Sequence, residues 1–376
     1  MTATYLVVRT SPESARVPQR CARWAERNGV SVDVVGPVGP REVRAHLDPA
    51  AHAGVVLELE RVAGDDAVAR TIARAAIPVV GVSRAELPDD NAIVAASCAR
   101  VFAGRGTSGF LWALSHLRAL HEHPPRTLSY GPHPAHVADL RVPDGGGRPP
   151  VVVLAHGGFW RDEWERDLMD GLVLDLSRRG YATWNVEYRR VGPTGGGWPQ
   201  TADDVVRATT ALPMHTDDRV DLDRVVLLGH SAGAQLALRA AAELRDRHRG
   251  PALVVALSGL FDLDAAARAD VGWGSIQAFL GGGPDEVADR YRDAAPVAHI
   301  PLGIPALLAH GTGDAHVPIA QSEAYYAQAR TAGDPVELLT PDDADHFAMI
   351  DPTTPAWSAT VAEISRRVPV GRTSTD

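Results

Sequence analysis

The stretch RVVLLGHSAGAQLALRAAAELRD, Arg224 to Asp246, decides how this chain is read. Its opening aliphatics, Val225 to Leu228, are too short for a helix and suit a buried strand. From Ala232 onward the composition turns to alanine and leucine, the residues that favour helix most. Between the two stands Gly229-His230-Ser231-Ala232-Gly233. A strand that gives way to a helix across G-x-S-x-G lifts the serine onto a strained turn, and flanking glycines avoid collision with the neighbouring strand and helix. The helix then aims its first N–H groups at negative charge developing beside the serine. Ser231 is the candidate nucleophile, and the Ala232 N–H is a candidate half of an oxyanion hole. The pentapeptide alone recurs by chance; its strand–turn–helix setting gives it weight.

Working upstream, HGGFW (156–160) follows the aliphatic run that starts at Val151. Glycines in the loop after such a strand let backbone amides approach a substrate oxygen, so Gly157, Gly158 and Phe159 are the candidate donors for the rest of the hole. Taken alone the segment is an ordinary glycine turn; ahead of an elbow, in this chain order, it reads as the oxyanion loop. Downstream, a serine of this kind needs an acid and then a histidine. PALLAHG (305–311) reads as a strand, and the TGDAHVP that follows places Asp314 at its end. VELLTP (336–341) leads to DDADHFAMI, with His346 in a loop ahead of the last helix. The carboxylate has to hold the imidazole in the tautomer that accepts the serine proton, and Asp314 with His346 fits both order and placement. Asp343 and Asp345 are competing acids, and His310 and His316 competing bases; His310 is expected to brace the loop and His316 to cap or face solvent.

HGGFW, NVEYRR (185–190), GGGWPQT (195–201), GHSAG, HGTGDAHVP (310–318) and DHF (345–347) together resemble the kynurenine formamidase-like and feruloyl-esterase-like branch of α/β hydrolases, across about residues 127–368. The resemblance implies hydrolysis of a small-molecule ester or amide, arylformamidase- or esterase-like, without a cofactor or a metal. Acyl transfer, lactonase or cyclase chemistry would use the same three residues, and a non-catalytic scaffold is the alternative of a different class. Phe159, Trp160, Trp198, Trp273 and Phe347 lie near these loops and are candidates to line an aryl pocket, Trp160 foremost, although core packing is the ordinary role of each. A helix is expected near 162–179, and the irregular stretch near 264–302 falls where this fold inserts its lid.

The amino-terminal third alternates differently. Strands at 3–9, 31–36, 53–59, 77–83 and 99–104, separated by helical stretches, predict a parallel flavodoxin-like α/β domain over 1–120. A proline-bearing linker, HEHPPR (121–126), and an α/β-hydrolase domain over 127–370 follow. GRGTSG (104–109) matches a dinucleotide fingerprint but lies in the last strand–helix unit, where that motif does not belong. Residues 53–114 instead resemble a worn type II dehydroquinase, with Glu58 at the family's Asn position and Ser83 at its catalytic His. Those departures predict no dehydratase activity, and the resemblance implies assembly of copies through this domain, a possible homo-oligomer.

Composition narrows the chemistry. The chain has 376 residues, 45% hydrophobic and 22% charged, which suffices for two cores, and a net charge of -10, which suits neither nucleic acid nor an anionic membrane. It contains no lysine, which removes Schiff-base, pyridoxal phosphate, P-loop and Ser–Lys chemistry. Cys21 and Cys98 lack metal or redox spacing and read as buried thiols of a cytoplasmic protein. His121, His123, His133 and His136 cluster about the linker and read as polar linker residues in place of a metal site. No signal peptide or membrane span is expected.

Overall fold

The computed structural model describes residues 2–47, 52–62, 64–85, 92–145, 147–247 and 250–371. The chain forms two compact units that meet between Glu122 and His123.

The first unit runs β1 (Thr4–Val8), α1 (Val17–Asn28), β2 (Ser31–Val35), α2 (Pro40–His46), β3 (Val55–Glu58), α3 (Asp66–Arg74), β4 (Val79–Val82), α4 (Ala92–Ser97), β5 (Arg100–Phe102) and α5 (Gly109–Glu122). All strand pairs are parallel, in the flavodoxin-like order β2-β1-β3-β4-β5. The period-two alternation of β1 explains why helices cover both faces. Tyr5 and Val7 pack into one core with Val17 of α1 and Leu114 of α5, while Leu6 and Val8 pack into another with Val43 of α2 and Val68 of α3. The sequence pattern does not announce α4, whose six residues are too few to show a helical period. Helix α5 continues to Glu122, two residues into the stretch expected as linker.

The second unit opens with the hairpin β6 (Arg126–Ser129) and β7 (Val137–Arg141), then runs β8 (Pro150–Ala155), α6 (Asp170–Arg178), β9 (Ala182–Val186), α7 (Gln200–Thr216), β10 (Asp221–His230), α8 (Ala232–Asp246) and β11 (Leu253–Leu257). It continues α9 (Leu263–Arg268), α10 (Ser275–Leu280), α11 (Ala288–Ala294), β12 (Ala306–Ala309), α12 (Ala320–Thr331), β13 (Val336–Leu339) and α13 (Pro355–Arg367). The eight strands order as β13-β12-β11-β10-β8-β9-β7-β6, with only the β7 pairings antiparallel. This is the α/β-hydrolase sheet, and β10 lies at its centre between β8 and β11.

Two expectations need correction. The helix expected over 162–179 begins only at Asp170, because Gly158, Phe159 and Trp160 all take positive φ and the chain turns before a 3-10 segment at Arg166–Met169. The stretch 264–302, expected as irregular, holds three short helices, α9 to α11. Cys21 is buried but Cys98 is only partly so, and burial pushes both thiols up to about 12. Among the described residues no helix is long and apolar enough to cross a membrane.

Helix α8 is buried almost all round, from Ala232 through Leu238, because its small side chains let the backbone come down onto the sheet. A Cβ on Gly233 would fall inside contact distance of the Ala155 and His156 carbonyl oxygens. Gly233→Ala therefore forces α8 off β8. The expected cost is roughly 1–3 kcal/mol or more, read as a lower thermal midpoint for the second unit; an unchanged midpoint would contradict the contact.

Candidate active site

Ser231 sits between the end of β10 and the start of α8 with φ 56 and ψ -121, a strained backbone that a non-glycine residue keeps only when its surroundings enforce it. They do: its N–H bonds the Leu257 carbonyl at 2.8 Å, and a Cβ on Gly229 would strike the Gly233 carbonyl. The Ser231 hydroxyl is buried and makes no hydrogen bond among the described residues.

Asp314 and His346 come together. His346 Nδ1 lies 2.7 Å from Asp314 Oδ2. A carboxylate only accepts, so Nδ1 carries the proton and Nε2 is left as the basic nitrogen. The other Asp314 oxygen accepts from the backbone N–H of His316 at 2.8 Å and of Val317 at 2.9 Å. Burial works against the charge on Asp314, but hydrogen bonds from His310 and His346 outweigh it and hold the carboxyl well below its usual range. His346 reaches the elbow through His230, whose Nε2 lies 3.1 Å from the His346 carbonyl; burial, with His346 nearby, keeps His230 well below the usual imidazole range. Of the competing acids, Asp345 turns Oδ1 to the N–H of Phe347 and Ala348, while the Asp343 backbone N–H bonds the Thr312 hydroxyl.

The HGGFW loop lies against Ser231. A Cβ on Gly157 would meet Ser231 Cβ at 3.0 Å and His230 Nδ1 at 2.8 Å. Among the described residues the N–H groups of Gly158, Phe159 and Ala232 carry no hydrogen bond. Residues that sequence reasoning overlooked hold this loop. His156 stacks on Tyr188 with ring centres 4.2 Å apart, its Nδ1 2.8 Å from the Gly157 carbonyl and its Nε2 3.1 Å from Glu187 Oε1. Burial opposes the Glu187 charge, yet His156, Arg190 and Arg166 outweigh it and bring that carboxyl down to about 2.

Trp160, the foremost pocket candidate, is instead 0% exposed. Its ring stacks on Phe279 at 4.2 Å, and its indole N–H donates to Gln235 Oε1 at 3.2 Å. It anchors the loop to α8. Trp198 packs edge-on against the same Phe279 with Arg239 over its face. Phe159 meets Trp273 edge-on at 6.2 Å, and Trp273 is 72% exposed. Phe347 stands 5.4 Å from the His346 ring and 6.2 Å from Trp164. Trp164 was missed as a site neighbour: it packs over Gly158. His316, the competing base expected to cap or face solvent, is exposed, and its ring stacks on His346 at 5.0 Å. Trp164 fell inside the helix expected near 162–179.

In the first unit the Glu58 side chain is wholly buried, and its Oε2 accepts from the N–H of Thr10 and Ser11 at 2.6 and 2.7 Å and from the Ser14 hydroxyl at 3.1 Å. The carboxylate pins the loop after β1. Buried Ser83 bonds the Phe102 carbonyl through its N–H at 2.9 Å. The hydroxyls of Thr107 and Ser108 in GRGTSG accept from the Arg20 guanidinium. Of the linker histidines, His136 pairs with Asp204 at 2.8 Å and stacks on Tyr130. No group of three or more metal-ligating side chains converges among the described residues.

Comparison with known proteins agrees with this architecture. Residues 138–328 match the BD-FAE family. Esterase LipQ of Mycobacterium tuberculosis is 28% identical over 207 residues, which are 50% of this chain and 47% of that protein, so this chain spans about half the length of its curated relative. Among solved structures, a bacterial heroin esterase superposes with a TM-score of 0.55 at 24% identity, covering 65% of this chain and 84% of that one. Carboxyl esterase 2 of the mycorrhizal fungus Tuber melanosporum does so with a TM-score of 0.56 at 20% identity, covering 66% and 87%. At these identities the superpositions speak for the fold. The matched segment runs from β7 into α12 and carries the HGGFW loop, the elbow and Asp314, and on it this chain belongs to the BD-FAE family.

Proposed function

We propose that the second unit is a serine hydrolase that cleaves an ester or amide bond of a small molecule, arylformamidase- or esterase-like, through an acyl-enzyme on Ser231. The observation that carries the reading is the 2.7 Å bond from His346 Nδ1 to Asp314 Oδ2, at the edge of the sheet where the strained Ser231 stands. His346 Nε2 takes the hydroxyl proton as Ser231 Oγ attacks the carbonyl carbon. The oxyanion takes hydrogen bonds from the N–H groups of Ala232 and of Gly157, Gly158 or Phe159, none of which is spent elsewhere among the described residues. Collapse breaks the bond to the leaving group, which takes the proton from His346. Water, deprotonated by the same nitrogen, then frees the acid and restores Ser231. Phe347, Trp164, Phe159 and Trp273 supply aromatic surface around these loops, which favours an aryl substrate.

The first unit is proposed to lack dehydroquinase activity, because Glu58 spends one carboxylate oxygen on the backbone of the β1 loop and no histidine stands at position 83.

A fluorophosphonate probe labels the wild-type protein, and Ser231→Ala abolishes the labelling; equal labelling of the two would refute the assignment. On a panel of aryl formamides and short-chain aryl esters, Ser231→Ala and Asp314→Asn each lower kcat by on the order of 10⁴-fold or more, with both proteins retaining the wild-type circular dichroism. The full chain produces no detectable dehydration of 3-dehydroquinate, followed by ultraviolet absorbance of the enone product.

A further inference from the structure

His310 is the first residue after β12 and is 0% exposed. Its backbone is fixed by the bond from its N–H to the Leu339 carbonyl at 2.9 Å. Its ring is fixed from both ends. Nδ1 lies 2.7 Å from the hydroxyl of Ser322 on α12, which is also 0% exposed. Nε2 lies 3.0 Å from the Val317 carbonyl and 3.3 Å from Asp314 Oδ2. Carbonyl and carboxylate oxygens only accept, so Nε2 carries the proton, and a serine hydroxyl can donate to the remaining lone pair on Nδ1. The partners therefore select one neutral tautomer without a second proton.

Asp314 thus accepts three hydrogen bonds: Oδ1 takes the N–H groups of His316 and Val317, and Oδ2 the ring N–H of His346. The His310 ring N–H, bonded to the Val317 carbonyl, also stands 3.3 Å from that Oδ2, so both imidazoles turn an N–H dipole toward one oxygen. We propose that His310, locked by Ser322 as the Nε2–H tautomer, is a positioning residue that fixes the Asp314 carboxylate and moderates the charge it presents to His346. The proposal rests on the reading of Ser231, Asp314 and His346 as the catalytic group. Losing the His310 donor has two effects. The carboxylate gains freedom to turn, which lowers kcat. Its charge is also less compensated, which favours the protonated, inactive form of His346.

The sign of the pH effect follows. A base that is protonated more readily becomes active only at higher pH, so the acid limb of kcat/KM moves upward. The titratable groups facing this cluster are His230 from the end of β10, His316 from the loop after β12, and Asp345 and His346 from the loop after β13. Burial holds His230 in its neutral form across the working range. Partial burial, with His346 beside it, moves the His316 imidazole below its usual range, so its contribution is measured separately in His316→Gln.

The test uses the full chain and p-nitrophenyl acetate as probe, with pH profiles of kcat and kcat/KM. His310→Phe keeps a ring but no donor; His310→Gln places an amide N–H where Nε2 stood. His310→Phe is expected to lower kcat about ten- to a hundredfold, as for loss of an N–H dipole held against a charged group together with the Val317 bond that fixes its loop, with KM changed less than about twofold. Its acid limb rises by about half a pH unit or more. His310→Gln returns the limb to the wild-type position, a rescue that mere space-filling would not give. An unshifted limb in His310→Phe, in a protein that Asp314→Asn still inactivates, overturns this proposal alone. Activity that survives Asp314→Asn overturns the catalytic reading beneath it. Should His310→Phe fail to fold, Ser322→Ala decides: the limb rises if the tautomer lock matters and Ser322→Thr restores it, while a wild-type limb in Ser322→Ala refutes the proposal.

Discussion

The site depends on how closely three stretches of backbone approach one another. At Gly157, Gly229 and Gly233 the turn after β8, the end of β10 and the first turn of α8 touch where a Cβ would not fit. That contact puts the HGGFW loop against Ser231 and leaves the serine no relaxed backbone to fall back to. The rest follows from sheet order. The strands β11, β12 and β13 extend the same parallel sheet, so the loops that leave β12 and β13 emerge on the edge where β10 ends and deliver Asp314 and His346 there.

A second constraint is electrostatic. Glu187, His156, Arg166 and Arg190 bury charge beneath the HGGFW loop, where an isolated ion would be costly. The arrangement is tolerable because each carboxylate oxygen of Glu187 has partners: His156 and Arg190 on one, the Arg166 backbone and side chain on the other. Its interest is positional. His156 spans Glu187 and the Gly157 carbonyl, so the charge network and the loop glycine share one side chain.

The motifs made the α/β class of both units and the triad candidates legible in the sequence, because an elbow and its oxyanion loop are local patterns with fixed chain order. Side-chain neighbourhoods were not legible. Trp160 beside the loop looked like a pocket wall, but a tryptophan inserted between Phe279 and Gln235 has the same one-dimensional surroundings. Trp164 was hidden by a helical period that the positive φ angles of 158–160 interrupt. The roles of Glu187, Gln235 and His310 depend on partners 31, 75 and 12 residues away, distances that periodicity does not encode. In the first unit Glu58 stood out only as a departure from a resembled family; its work, tying down the β1 loop, became visible when Thr10 and Ser11 were placed beside it.

Gln235 accepts from Trp160 and donates to the Ala294 carbonyl at 2.8 Å. One amide thereby joins the HGGFW loop, the helix behind Ser231 and the end of α11 into a single stiff frame. Trp273 belongs to the opposite regime: it stands in solvent between Gly272 and Gly274, both in left-handed conformations, and touches the frame at the edge of Phe159. Exposed surface and rigidity are thus carried by different parts of the second unit. A change at Trp273 alters solvent-facing surface and one ring contact, whereas a change at Gln235 cuts a buried amide that three segments share.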